Sequence, residues 1–194
     1  MKKAKEKRLE ALAHEFLTEC IAGNVDWSAA HLQDTPKRFV KMLREMTTGP
    51  TLEFTTFPNT MKKDEMIICS PIQFSSLCAH HLIPFFGQAH IAYIPSQKDG
   101  SQIVGLSKLA RAVHFWSKGL WTQEDLTDAI AHYLDEMLEP HGLGVIMEAE
   151  HMCMTIRGVH SPGTKTITSC MQGVLLDPER GARQEFLQLV AKGR

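Results

Sequence analysis

The spacing of apolar residues in the first half of the chain predicts two helices followed by two strands. Apolar positions recur at helical spacing over residues 7–21 and again over 34–50, where Asp34-Thr35-Pro36 supplies a cap and an early proline and Gly49-Pro50 a stop. Residues 51–64 show no period, which indicates a loop. Segments 66–76 and 85–94 are strand-like, and a break at Ser70-Pro71 interrupts the first of them.

The second half repeats the order, with two helices before further strands. One helix opens at Gly105-Leu106-Ser107-Lys108 with Ser107 as its predicted N-cap and ends at Gly119. Thr122, with Asp125 three residues on, resembles a capping box and starts another helix. The remaining predicted elements are strands over 143–149, 152–159 and 166–176 and a terminal helix over 183–191. This order indicates the α+β class.

Composition narrows the class of protein. A chain of 194 residues with 43% hydrophobic and 22% charged residues fits a soluble globular domain, and we divide it into an N-terminal helical segment, 1–50, and a catalytic domain, 51–194. A net charge of -1 gives no reason to expect nucleic acid or a membrane surface as partner. No apolar run approaches the ~20 residues of a membrane span, and the charged start of the chain is unlike a signal peptide. We therefore expect a cytoplasmic protein.

Two short clusters carry metal-binding side chains. Cys78-Ala79-His80-His81 lies between two predicted strands, and His151-Met152-Cys153 lies far downstream. Zinc prefers thiolate and imidazole ligands, and a catalytic zinc has three of them. Cys78, His81 and Cys153 would make such a set and leave His80 and His151 for proton transfer. A closed structural zinc with one of those histidines as fourth ligand, or core residues without metal, remain alternatives.

Basic residues are the candidates for binding an anion. Lys108 and Arg111 lie one turn apart at a helix start, where backbone N–H groups favour anions. Arg38, Lys41 and Arg157 are further candidates that the fold would have to bring to the same place. Taken singly, each also fits a solvated surface charge.

Several ordered motifs resemble the GTP cyclohydrolase I family. The motifs are Asp34-Thr35-Pro36-Lys37-Arg38, Cys78-Ala79-His80-His81-Leu82-Ile83-Pro84-Phe85, Gly105-Leu106-Ser107-Lys108-Leu109-Ala110-Arg111, Gln123-Glu124-Asp125-Leu126-Thr127 and His151-Met152-Cys153-Met154. The resemblance runs from about residue 30 to the C-terminus. It implies the tunnelling fold, in which ββααββ units, each an antiparallel sheet with two helices on one face, join into a barrel. It also implies a homodecamer of two pentameric rings.

The resemblance further implies a reaction and roles for residues. Family members hydrolyse GTP at C8, release formate and rearrange the product to 7,8-dihydroneopterin triphosphate. By resemblance, Cys78, His81 and Cys153 hold Zn²⁺, which activates water. His151 is then the principal proton-transfer residue, with His80 beside it.

The same resemblance assigns the substrate-binding residues. Glu124 would grip the guanine edge with Gln123 beside it, since a carboxylate can accept from the ring N–H and the exocyclic amine together. The residues implied to bind the triphosphate are Ser107, Lys108, Arg111, Arg157, Arg38 and Lys41. Ser107 would also assist the ribose rearrangement. Because family sites lie between subunits, Arg38 and Lys41 would bind the substrate in the site of a neighbouring subunit.

The chain departs from the family pattern at two places. Ala79 stands where the family usually has glutamate, and Lys118-Gly119-Leu120-Trp121 replaces a more basic stretch. Loss of a carboxylate behind a metal site typically costs ~10–100-fold in affinity or activity. Ala79 therefore motivates a second hypothesis, a non-catalytic zinc-stabilised assembly module. A third is a relative acting on another purine. A zinc deaminase is disfavoured because its His-x-Glu and Pro-Cys-x-x-Cys patterns are missing.

Overall fold

The two N-terminal apolar stripes form two helices that pack on each other. The computed structural model describes residues 2–23 and 25–193, which divide into one unit up to Thr48 and another from Gly49. The first unit contains α1 (Lys2–Cys20) and α2 (Thr35–Thr47). Arg44 on α2 binds Glu6 on α1 at 3.0 Å. Helix α2 has its proline in the first turn, where no intrahelical N–H is needed.

Among the described residues, every strand lies in the second unit, which also contains four further helices. The strands are β1 (Thr56–Pro58), β2 (Ile67–Cys78), β3 (Pro84–Ile94), β4 (Gln102–Val104), β5 (Leu120–Trp121), β6 (Gly142–His151) and β7 (Lys165–Gly173). The helices are α3 (Leu106–Trp116), α4 (Gln123–Leu138), α5 (Met152–Thr155) and α6 (Ala182–Lys192), with a 3₁₀ turn at Pro178–Arg180. The predicted α+β class is confirmed.

A five-stranded sheet positions the candidate site. Its strand order is β5-β2-β3-β6-β7, with β5 parallel to β2 and the other pairs antiparallel, while β1 and β4 form a separate two-stranded sheet. In the β3–β6 pairing, Phe85 lies opposite His151 and Ile94 lies opposite Gly142. Because β2 ends at Cys78 beside the start of β3, both residue clusters found in the sequence lie at the same end of this sheet.

Apolar side chains on both faces of the sheet have packing partners, because successive side chains along a strand point to opposite faces. One face packs against α3 and α4 through a core that includes Phe85, Leu134 and Met147. The opposite face packs against α6, where Ile146 meets Phe186. None of the helices in residues 2–23 and 25–193 combines the length and the apolar character that a membrane crossing requires.

The predicted strand over residues 152–159 is wrong. The backbone leaves the sheet after His151, forms the single turn of α5 and continues as a loop to Lys165. Positive φ angles at Gly158 and His160, 64° and 49°, bend that loop. A short apolar run such as Met152-Cys153-Met154 does not by itself distinguish a strand from a helical turn.

Two smaller predictions also differ from the structure. Residues 51–64 are not wholly loop, because β1 lies within them and pairs with β4, Phe57 lying opposite Ile103. Ser107 is not the N-cap of α3, because the helix begins at Leu106 and Gly105 occupies the cap. Ser107 instead lies in the exposed first turn.

Thr122 caps α4 as its sequence context predicts, and the cap can be tested. The Thr122 hydroxyl accepts a hydrogen bond from the backbone N–H of Asp125 at 3.1 Å. Replacement of the residue by alanine leaves that N–H without its partner, so Thr122→Ala should lower the free energy of unfolding by about 1 kcal/mol. Thr122→Ser keeps the acceptor and serves as control. Equal stability of both variants in urea titrations would contradict the cap.

Candidate metal centre and active site

Three side chains with metal-binding atoms converge at the end of the sheet. Cys78 comes from the end of β2, His151 from the end of β6 and Cys153 from α5, and their ligand atoms lie within 4.8 Å of one another. A tight turn after Cys78 reverses the chain into β3. In it the Leu82 N–H donates to the Cys78 carbonyl at 2.9 Å, and Leu82 takes a φ of 55°.

The donor set fits a zinc ion. Two thiols and an imidazole are ligands that Zn²⁺ prefers. Burial raises the pKa of the Cys153 thiol, the neighbouring Cys78 raises it further, and the Arg157 guanidinium acts in the opposite direction. Two sulfurs so close together are unfavourable as thiolates until a cation offsets their charge. The arrangement therefore favours occupation by a soft divalent metal.

A buried glutamine fixes His151. Gln123 Oε1 lies 2.8 Å from His151 Nε2. The two N–H groups on Gln123 Nε2 face three oxygens, the carbonyls of Met147 and Thr166, both at 3.0 Å, and Thr168 Oγ1 at 3.1 Å. These acceptors determine which end of the amide is nitrogen, so Oε1 must accept from His151. His151 therefore carries its proton on Nε2, and in the neutral ring Nδ1 has a free lone pair.

The ring of His151 is also held by stacking and kept neutral by burial. It stacks on Phe85 with ring centroids 4.6 Å apart and planes within 1°. Burial lowers the pKa of His151, while the nearby Glu124 carboxylate acts to raise it. A neutral imidazole with a lone pair at Nδ1 can accept a proton or bind a metal.

The adjacent histidines lie in the turn after Cys78. His80 Nδ1 is 3.8 Å from Cys78 Sγ, and the ring centroids of His80 and His81 are 6.2 Å apart. Both side chains are exposed. Across residues 2–23 and 25–193, the group of convergent ligand atoms includes His151 and omits His81, which the family resemblance implied as a ligand.

Most of the predicted site residues meet at this end of the sheet. Glu124 is close enough to His151, and Arg157 close enough to Cys153, to influence their titration. The residues brought together are Cys78, His80, Gln123, Glu124, His151, Cys153 and Arg157.

The predicted phosphate-binding residues of α3 lie elsewhere within one chain. Helix α3 starts beside Tyr93, whose hydroxyl accepts from Val104 N–H at 3.2 Å, and its last turn lies beside Gln73 of β2, where His114 Nε2 donates to the Gln73 carbonyl at 3.0 Å. The rise of β3 puts Tyr93, beside which α3 starts, roughly 26 Å along the sheet from Phe85. The residues concerned are Ser107, Lys108 and, further along the helix, Arg111. Arg38 and Lys41 belong to the first unit.

Sequence reasoning missed two roles. Gln123 was expected to bind substrate, yet its amide is engaged by four protein groups. Glu150 was not singled out. It accepts hydrogen bonds from the Gly163 N–H and the Thr155 hydroxyl, which hold its pKa below the usual range. Neither role leaves a local sequence signal, because the partners are distant in the chain.

Comparison with known proteins identifies relatives along the whole chain. Residues 10–191 match the model of the family described as GTP cyclohydrolase I. GTP cyclohydrolase 1 of Streptococcus agalactiae serotype Ia is 45% identical over 192 residues, which cover 97% of this chain and 98% of that protein. The Bacillus subtilis strain 168 protein of the same name is 42% identical over 196 residues, with 99% of each chain covered.

A further relative and one solved structure complete the comparison. GTP cyclohydrolase 1 of Streptococcus pyogenes serotype M18 is 47% identical over 191 residues, which cover 96% of this chain and 94% of that protein. The archaeosine synthase QueF-Like in the apo form matches 56% of this chain and 93% of its own, with a TM-score of 0.43 and 12% identity, a similarity too low to assign a fold. The sequence matches span nearly the whole chain, and the chain belongs to the GTP cyclohydrolase I family.

Proposed function

We propose that this chain hydrolyses GTP at C8, releases that carbon as formate and rearranges the remainder to 7,8-dihydroneopterin triphosphate. GTP cyclohydrolase activity is the activity of its family, the first step of folate and pterin biosynthesis. The observation that carries the proposal is the convergence of Cys78, Cys153 and an anchored, neutral His151. Such a set suits hydrolysis, because it offers metal ligands and a base together.

The metal in this proposal is Zn²⁺, held by Cys78, His81 and Cys153. The short distance between the two cysteine sulfurs supports this ligand set. His81 fits it because it lies in the turn that directly follows Cys78. Zinc supplies a Lewis acid and lowers the pKa of a coordinated water towards neutrality. With His81 as third ligand, His151 stays free for proton transfer.

His151 is the proton-transfer residue. Its Nε2–H is occupied by Gln123, so Nδ1 takes the proton from the attacking water and returns it to the departing ring nitrogen. The stacked Phe85 keeps the ring in one plane while the proton moves. His80, exposed beside Cys78, is the second proton-transfer group on the substrate side.

Glu124 and Arg157 bind the substrate from the same end of the sheet. The Glu124 carboxylate is exposed in the first turn of α4 and accepts hydrogen bonds from the guanine edge. The Arg157 guanidinium, close to Cys153, meets the triphosphate. Gln123 serves the reaction indirectly, through its hydrogen bond to His151.

The site is completed by a second copy of the chain. The roughly 26 Å along β3 between Phe85 and Tyr93, beside which α3 starts, supports this, because Ser107 and Lys108 lie far from the metal-binding side chains of their own chain. Ser107, Lys108 and Arg111 of one copy, with Arg38 and Lys41, then bind the triphosphate at another copy's metal site. Ser107 also assists the ribose rearrangement. The β2-β3-α3-α4-β6-β7 order, with only the short β4, β5 and α5 interspersed, supports a tunnelling fold, and the family resemblance implies a decamer of two pentamers.

The different roles proposed for His81, as metal ligand, and His151, as base, give the sharpest test of the metal site. His81→Ala should lose bound zinc and GTP turnover together. His151→Ala should keep about one zinc per chain and lose at least ~100-fold in kcat, the usual scale for a general base. Metal content by mass spectrometry and turnover by neopterin fluorescence after oxidation would be compared with His132→Ala, an exposed histidine on α4. Retention of zinc in His81→Ala with its loss in His151→Ala would contradict the assignment.

Mixed oligomers test whether the site is shared. Cys153→Ala removes a metal ligand and Arg111→Ala a phosphate-binding residue, so each variant alone should be inactive. Random co-assembly of the two should restore about a quarter of the sites, because a shared site can take its intact halves from different copies. Mixing without subunit exchange is the control. Full exchange with no recovery of formate release would contradict a shared site.

A further inference from the structure

The carboxylate of Glu150 joins the two ends of one loop. Glu150 directly precedes His151 on β6, so its side chain points to the opposite face of the strand. A single oxygen, Oε1, accepts from Thr155 Oγ1 at 2.8 Å and from the Gly163 backbone N–H at 3.1 Å. Thr155 ends α5, and Gly163 lies just before β7. The loop between them, residues 155–163, is thus closed by one acceptor.

Within one chain, polar contacts rather than burial hold this loop in place. Its apolar side chains are largely exposed, Ile156 at 61% and Val159 at 68%. Within the loop, the Ser161 N–H donates to the Met154 carbonyl at 2.9 Å. Because apolar burial within one chain contributes so little, the two hydrogen bonds to Glu150 Oε1 contribute most to its ordering.

Arg157 is the charged residue carried by the loop. It lies two residues after Thr155, between the two groups that Glu150 binds, and its guanidinium is close enough to Cys153 to favour the thiolate. A long, exposed arginine loses much rotamer freedom when it binds an anion. If the backbone that carries it is already fixed, binding does not also have to order the loop, and the entropy cost is smaller. The orientation of the loop therefore governs how well Arg157 is pre-arranged for an anion.

We propose that Glu150 is a positioning residue that fixes the loop carrying Arg157 and so sets the affinity for the triphosphate group. The proposal rests on the proposed function for the identity of the substrate. Glu150 does not touch substrate in this account. It acts through Thr155 and Gly163, and its effect belongs to binding rather than to the chemical step.

Substitution of Glu150 should separate KM from kcat. Glu150→Ala should raise KM for GTP about tenfold and leave kcat within about twofold, because two charge-assisted hydrogen bonds are lost away from the reacting atoms. Glu150→Gln keeps an oxygen that can accept both bonds and should restore KM to within about twofold of wild type. Glu136→Ala, an exposed glutamate on α4, is the matched control.

A double-mutant cycle tests whether the effect passes through Arg157. Arg157→Ala should itself raise KM, and adding Glu150→Ala should raise it no further, because the loop then carries no phosphate-binding group. Amide hydrogen exchange of residues 155–163 should increase in Glu150→Ala but not in Glu150→Gln. Equal effects of Glu150→Ala with and without Arg157, loss of zinc in Glu150→Ala, or a fall in kcat at unchanged KM would each overturn the proposal.

Inorganic triphosphate separates this inference from the proposed function. Its dissociation constant, measured by calorimetry on the zinc-loaded oligomer, should rise about tenfold in Glu150→Ala and stay near wild type in Glu150→Gln. That dependence would support the role of Glu150 even if wild-type protein failed to turn over GTP, a result that would overturn only the proposed reaction. Triphosphate binding that is unchanged in Glu150→Ala would overturn the role of Glu150.

Discussion

The buried amide of Gln123 ties together the elements that form the site. It stands at the first position of α4, donates to β6 and β7, and accepts from His151. A primary amide donates hydrogen bonds from its nitrogen and accepts them at its oxygen. Here the protein's acceptor atoms all lie at the nitrogen end of the Gln123 amide. The same amide therefore fixes both the position of α4 against the sheet and the tautomer of His151. A change that turns the amide would leave buried polar groups unpaired and move the proton to the wrong nitrogen.

The antiparallel register of the sheet brings the residues around the Gln123 amide to the same end of the sheet. Phe85 lies opposite His151, so the stacked rings follow from the pairing of β3 with β6. Cys78 arrives at the same end because β2 and β3 are joined by a tight turn. Cys153 arrives there because the chain leaves the sheet after His151 and forms a helical turn. The end of β2 thus positions Cys78 and the end of β6 positions His151, and the departure of the backbone from β6 adds Cys153, the second candidate thiol ligand.

Those features explain what could be predicted from the sequence. Cys78 and Cys153 were recognisable from residue type and spacing, which are local, and the cap at Thr122 is local too. The role of Gln123 depends on Met147 and Thr166, partners that only the sheet register reveals. The incorrect prediction of a strand over residues 152–159 has a similar origin. A short apolar run is compatible with a strand or a helical turn, and only its long-range contacts distinguish the two. The Ala79 backbone N–H donates to the Trp121 carbonyl at 2.9 Å, and the Ala79 side chain is exposed beside His80.

The central claim is zinc-dependent release of formate from GTP, and formate is the most direct readout. Purified protein loaded with zinc should release one formate per GTP consumed. Removal of the metal by a chelator should stop the release, and added zinc should restore it, because the metal supplies the activated water. A zinc-saturated, folded oligomer that consumes no GTP and releases no formate would contradict the account.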